Sequence, residues 1–171
     1  EVEVLGADRV RHLIGGQVVL QYEHPTIGGG VANRFDPAIK KDGTVLYAAN
    51  EIEGFLFKGR DAERRYHETL RFDFISTGGY YHSLPGDALR RFIDNSAEAQ
   101  RALGFGNEKD HPEVAPSQFE MNYTYTEACI AADQVQLYKL ICRQVAQQLD
   151  MTASFLPKPV TGVNGSGMHT N

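Results

Sequence analysis

The segment His111-Pro112-Glu113-Val114-Ala115-Pro116-Ser117-Gln118-Phe119-Glu120-Met121-Asn122 restricts the fold more than any other stretch of the chain. Glu113 and Glu120 stand seven residues apart, with Pro116 between them. On a helix that spacing would stack both carboxylates on one face, but a proline in the interior breaks the turn. On one unbroken strand an odd separation sends them to opposite faces. A break at Pro116-Ser117 resets the phase and lets the two acids converge. Convergent carboxylates repel one another, so they need a cation, a shared proton or open water. A hard divalent cation is the natural partner, because Mg²⁺ and its relatives prefer oxygen ligands. The alternative is two solvated acids flanking a turn.

A second acidic pattern lies upstream. Thr44 to Phe57 reads as one long strand, in which Glu51 and Glu53 project from one face while Ile52 and Leu56 share the other. An exposed edge strand would also carry Glu-x-Glu, but the apolar flanks argue for a mostly buried strand, and buried acids need partners.

The remainder of the chain frames these acids. Val18-Val19-Leu20 suggests a short strand, Gly28-Gly29-Gly30 a flexible loop, and Lys41-Asp42-Gly43 a turn. Lys58 to Arg71 is charged and reads as a surface loop, with Arg64 and Arg65 solvated. Ser76 to Leu84 is expected to be a strand kinked at Gly78-Gly79. A helix should follow to about Leu103, with Asp87 as N-cap, Leu89, Phe92 and Ile93 on its buried face, and Gly104 at its end. Gln118 to Tyr125 alternates, with Glu120, Asn122 and Thr124 facing one way and Phe119, Met121, Tyr123 and Tyr125 the other. Thr124-Tyr125-Thr126-Glu127 has the form of a capping box and should start the longest helix, to about Leu149, with Ile130, Leu137, Ile141 and Val145 on its core face. A strand is expected at Thr152 to Leu156, followed by the loop Asn164-Gly165-Ser166-Gly167-Met168-His169. Strands and helices interleave without regular βαβ spacing, so the fold class is α+β with a largely antiparallel sheet.

Bulk properties narrow the function. With 171 residues, 42% hydrophobic and 23% charged, the chain can build a domain with a real core. A net charge of −5 without a basic run gives no support to a nucleic-acid or anionic-membrane surface. No apolar run approaches the ~20 residues of a membrane span. Cys129 and Cys142 fall on one expected helix, ~20 Å apart, outside disulfide reach. They read as core thiols of a reducing, cytoplasmic protein.

The order of motifs then matters more than any one of them. Glu51-Ile52-Glu53-Gly54-Phe55-Leu56-Phe57, Gly78-Gly79-Tyr80, the His111 to Glu120 segment, Phe155-Leu156-Pro157-Lys158-Pro159 and Asn164 to His169 follow one another. This succession resembles the glutamine synthetase family over roughly residues 45–171, which leaves 1–44 as an unassigned N-terminal segment. The resemblance implies a curved antiparallel sheet flanked by helices, holding two Mg²⁺ or Mn²⁺ ions, with ATP as co-substrate. By matching positions, Glu53, Glu113 and Glu120 would hold one ion, and Glu51 and His169 the ion that clamps the nucleotide phosphates. Asn164 and Gly165 would line the glutamate site; Glu108, Tyr125 and Asn171 fall where the family contacts the nucleotide. The implied reaction is ligation of ammonia to the side-chain carboxylate of glutamate through γ-glutamyl phosphate, by a homo-oligomer assembled as rings. The alternatives are a γ-glutamyl ligase for another amine, a non-catalytic structural member, or an unrelated acidic domain.

The sequence also departs from the family pattern. Gly54 stands where a bulky residue is usual, and Pro112 replaces a second His. Residues 1–44 do not resemble the family's small N-terminal domain. A further carboxylate ligand and phosphate-binding arginines are expected beyond the His loop. The chain starts at Glu1 and ends at Asn171, two residues past His169, so it is expected to be a fragment that is inactive alone.

Overall fold

A computed structural model of the chain describes residues 43–81 and 86–171, and of residues 1–42 only the backbone of the strands. It comprises two compact units, one formed by 1–48 with 125–133, the other by 49–124 with 134–171.

In the first unit, β1 (Val2–Gly6), β2 (Arg9–Ile14), β3 (Gln17–Pro25) and β4 (Val31–Phe35) run antiparallel in that order, and β5 (Ile39–Lys40) pairs with β3. The expected strand at Val18–Leu20 is part of β3. The triple glycine at 28–30 and residues 41–42 of the expected turn lie outside the described residues. β6 (Tyr47–Ala48) pairs with β10 (Thr126–Glu127).

The second unit carries the two acidic motifs. Its sheet follows the order β11 (Met151–Ser154), β7 (Asn50–Lys58), β9 (Gln118–Tyr123), β8 (Asn107–Pro112), with β12 (Met168–Thr170) also pairing with β7. Every pairing is antiparallel. Thr44 to Phe57 is thus not one strand: it is divided between β6 and β7, which belong to different sheets. β7 is central rather than an edge.

The even residues Ile52 and Leu56 of β7 join Phe119, Met121 and Tyr123 of β9 in the main core. Against them pack α2 (Ala88–Ala102), through Leu89, Phe92 and Ile93, and α3 (Ala128–Gln148), through Val135, Tyr138, Cys142 and Val145. The Asp87 carboxylate caps α2 by accepting from the Leu89 amide at 2.7 Å, as expected from the sequence. The α3 face differs from expectation: Ile130 and Leu137 are exposed. Val135, Tyr138 and Cys142 keep helical spacing on a neighbouring stripe, and Tyr138 Oη anchors the helix by donating to the Ile52 carbonyl at 3.0 Å. Nor does a Thr124 capping box start α3. Glu127 does, accepting from the amides of Cys129 at 3.0 Å and Ile130 at 3.3 Å.

Two segments differ in class from the expectation. Lys58 to Arg71 contains α1 (Ala62–Thr69), whose buried contribution is Ala62 alone, so no apolar stripe announces it. Arg64 is exposed and pairs with Asp61 at 3.0 Å. Residues 76–81 form bends and a turn instead of a strand, with Gly78 and Gly79 at φ +89° and +104°. A Cβ on Gly78 would meet the Ala115–Pro116 backbone at 2.6 Å, so glycine lets this loop lie directly on the acidic turn. Cys142 is buried and Cys129 half-buried. Among the described residues no helix is long and apolar enough to cross a membrane.

Candidate metal centre

The odd face of β7 runs Glu51, Glu53, Phe55, Phe57, acidic over one half and apolar over the other. Phe55 and Phe57 are buried with Ala62 and Ala115 in a second, smaller cluster. The acids sit where that cluster ends. Antiparallel register brings Glu53 opposite Glu120, and Glu120 opposite His111 on the next strand. Glu113 follows β8 by one residue, at the start of the turn 113–117.

That turn reverses the chain as Pro116-Ser117 suggested. Ser117 takes φ +61°, a left-handed conformation uncommon for a residue with a side chain, and is fully buried. Its Oγ compensates by accepting from the amides of Ile75 at 2.7 Å and Ser76 at 3.0 Å. Glu113 and Glu120 therefore converge across a hairpin. Ligand atoms of His111, Glu113 and Glu120 lie within 4.8 Å of one another. His111 Nδ1 is 3.9 Å from Glu113 Oε1, and its Nε2 is 3.6 Å from Glu120 Oε1.

His111 is the donor that sequence reasoning missed. The available signal was β-alternation: His111 and Glu113 are two apart, the spacing that already paired Glu51 with Glu53. Tyr80, whose ring stands edge-on to His111 with centroids 5.9 Å apart, was likewise given no role. The negative charge on Glu113 holds its phenol above the ordinary tyrosine range.

Glu51 and His169 form a neighbouring pair. His169 lies in β12, not in a loop, directly opposite Glu51, and its Nδ1 is 3.1 Å from Glu51 Oε2. That hydrogen bond raises the imidazole pKa, with the Glu51, Glu53 and Glu120 charges adding to it. Glu53 lies between the two groups. Burial pushes its carboxyl above the ordinary range; the Gly167 amide, donating to Oε2 at 2.8 Å, offsets part of this, and the charges of Glu113 and Glu120 reinforce the rise. A Cβ on Gly167 would lie 3.7 Å from His169 Nε2 and 4.0 Å from both Glu53 oxygens, so this glycine borders the space shared by the pair and Glu53.

The donor set fits a hard divalent cation. Glu113 and Glu120 are mostly buried and close together, Glu53 is held upward in pKa by burial and, to a lesser degree, by their charges, and the donors are oxygens with one imidazole. Mutual repulsion in a partly dry site is what a cation relieves.

The other sequence-selected positions are less concentrated. The Gly165 carbonyl faces the acidic strand through Gln118, whose Nε2 donates to it at 2.9 Å, while Asn164 is exposed. A Cβ on Gly165 would be 2.4 Å from the Pro157 carbonyl, which accounts for glycine there. Asn171 exchanges backbone hydrogen bonds of 2.9 and 3.1 Å with Ala49. Glu108 is exposed at a bulge in β8, and Tyr125 is exposed in the first unit. Gly54 also acquires a reason: a Cβ there would meet the Phe119 ring at 2.7 Å and the Phe155 ring at 3.0 Å, so two aromatics fill the space a side chain would need.

Comparison with known proteins gives a family and a fold. The family described as "Glutamine synthetase, catalytic domain" matches residues 30–171, beginning upstream of the first motif. The chain is 40% identical over 124 residues, 71% of its length, to a glutamine synthetase of Staphylococcus aureus (strain MW2), and equally to one of Staphylococcus epidermidis. It spans 26% of the length of those relatives. Among solved structures, the cryoEM glutamine synthetase of Plasmodium falciparum superposes with a TM-score of 0.59 at 18% identity, covering 91% of this chain and 40% of that one, a likeness of fold.

Proposed function

The chain belongs to the glutamine synthetase family, and from that premise we propose that it supplies the metal-binding face of an ATP-dependent carboxylate–amine ligase. The observation that carries this reading is the convergence of Glu53, Glu113 and Glu120 across β7 and the β8–β9 hairpin, with Glu51 and His169 beside them. Glu53, Glu113 and Glu120 hold one Mg²⁺ or Mn²⁺, with His111 as a further donor; Glu51 and His169 contribute to holding a second. When bound, such cations offset the charge that builds on phosphoryl and carboxylate oxygens.

The reaction joins ammonia to glutamate. The side-chain carboxylate takes the γ-phosphoryl group of ATP to give γ-glutamyl phosphate. Ammonia then attacks the acyl carbon, the C–N bond forms, the C–O bond to phosphate breaks, and glutamine and phosphate leave. The protein contributes position and electrostatics, with no covalent nucleophile. Asn164 and Gly165 line the glutamate side; Glu108 and Asn171 serve the nucleotide. The enzyme works as a homo-oligomeric ring, to which the chain contributes a catalytic-domain portion.

The test is glutamate-dependent phosphate release from ATP with ammonia and a panel of amines, in this chain and in any longer polypeptide containing it. Turnover should require Mg²⁺ or Mn²⁺ and disappear in Glu113→Ala. Undiminished turnover in EDTA would reject the proposal. Preference for a larger amine would identify a γ-glutamyl ligase of different acceptor, and metal binding without turnover in every context a structural member of the family.

A further inference from the structure

Three chain segments meet the acidic face from different parts of the sequence: β7, the turn 113–117 and the loop before β12. One side chain touches all of them. Gln118 is fully buried, at 0% exposure. Its Nε2 donates to Glu53 Oε2 at 3.1 Å and to the Gly165 carbonyl at 2.9 Å, and its Oε1 accepts from the Ala115 amide at 3.2 Å. Its backbone closes the same turn, since the Gln118 carbonyl accepts from the Glu113 amide at 2.8 Å. The amide orientation follows from its partners: flipped, its oxygen would face two acceptors and its NH₂ a donor.

We propose that Gln118 is the positioning residue of this site, fixing the Glu53 carboxylate against the Gly165 loop and so setting the affinity for the divalent cation. The inference rests on the reading that these acids hold a metal ion. A carboxylate among like charges rotates away unless donors hold it. Glu53 Oε2 has two, the Gly167 amide and the Gln118 amide, and the second also fixes the loop that supplies the first. Groups of this kind, behind the ligands, tune metal affinity by about 10–100-fold.

The probe is Mn²⁺ alone, titrated into the chain and followed by EPR of the free ion and by calorimetry. Gln118→Met keeps length and loses the donors; Gln118→Glu keeps an acceptor toward Ala115 and loses the donors to Glu53 and Gly165. Both should weaken Mn²⁺ binding about 10–100-fold. Ser117→Ala is the control, because it removes the hydroxyl's hydrogen bonds with Ile75 and Ser76 but none to Glu53. It should lower the melting temperature of the metal-free protein and leave Mn²⁺ affinity within about twofold. Melts in EDTA give the folded fraction of each variant, so a purely structural role would appear as a lower melting temperature with unchanged affinity. That result in either Gln118 variant overturns the inference. Failure of the wild-type chain to bind Mn²⁺ overturns the metal reading beneath it.

Discussion

Glu53 concentrates the electrostatics of the site. Its carboxyl is raised by burial and by Glu113 and Glu120, so the folded state favours its neutral form. A group whose folded pKa exceeds its unfolded value of 4.5 stabilises the fold fully below that value and loses the contribution as pH rises through the folded pKa. Urea titrations in EDTA should therefore show wild-type stability falling relative to Glu53→Gln as pH increases from about 4.5. His169, raised above 6.5 by Glu51, adds a fall of the same sign at higher pH. Saturating Mn²⁺ should remove the Glu53 difference, because the cation replaces the proton. Glu51 and Glu53 were legible as one face from alternation alone. His111 shares that two-residue spacing with Glu113, but Pro112 between them obscures the strand until its partner across the sheet is known.

Elements differ in how openly their sequences announce them. α2 has an N-cap and an apolar stripe, and it was placed within a few residues. α1 has neither: Asp61 makes no side-chain capping bond, and one alanine is buried. The acidic turn was legible through Pro116-Ser117, but its strength lies in the Ser117 hydroxyl. Ser117→Ala should cost about 2 kcal/mol in urea denaturation, because it leaves two buried amides without an acceptor while the backbone strain of a non-glycine residue is unchanged. Gly165→Ala sets a Cβ against the Pro157 carbonyl, so the loop must shift. The expected cost is about 1–3 kcal/mol of stability. The Gly165 carbonyl would also move from Gln118, and Mn²⁺ affinity should fall together with stability.

At the scale of the molecule, ligand and fold are linked. A cation that binds the folded acidic face and not the open chain stabilises by about 2.7 kcal/mol at a hundred times its dissociation constant. Thermal melts should rise with Mn²⁺ in the wild type and stay fixed in a Glu113→Gln, Glu120→Gln double variant. The second unit holds all four acids and the imidazole inferred as ligands from sequence on one sheet and the turn after β8, while the buried Tyr138 ties that sheet to α3. Tyr138→Ala should accordingly cost about 3–5 kcal/mol in the second unit, read by near-UV circular dichroism during denaturation.

The sequence by itself determined the acidic faces of β7 and β9 and the break between Glu113 and Glu120, because side-chain alternation and proline geometry are local properties. It also carried the family resemblance, through the order of its motifs. Register decided the rest: which strand lies opposite which, that His169 faces Glu51, that His111 completes the acidic cluster, and that Gln118 reaches Glu53 and Gly165 together. The contacts of His169 with Glu51 and of Gln118 with Glu53 and Gly165 join residues 47 to 118 positions apart, where no local spacing constrains them. Only burial of the apolar sheet face against α2 and α3, which selects one register among several, brings them within bonding distance.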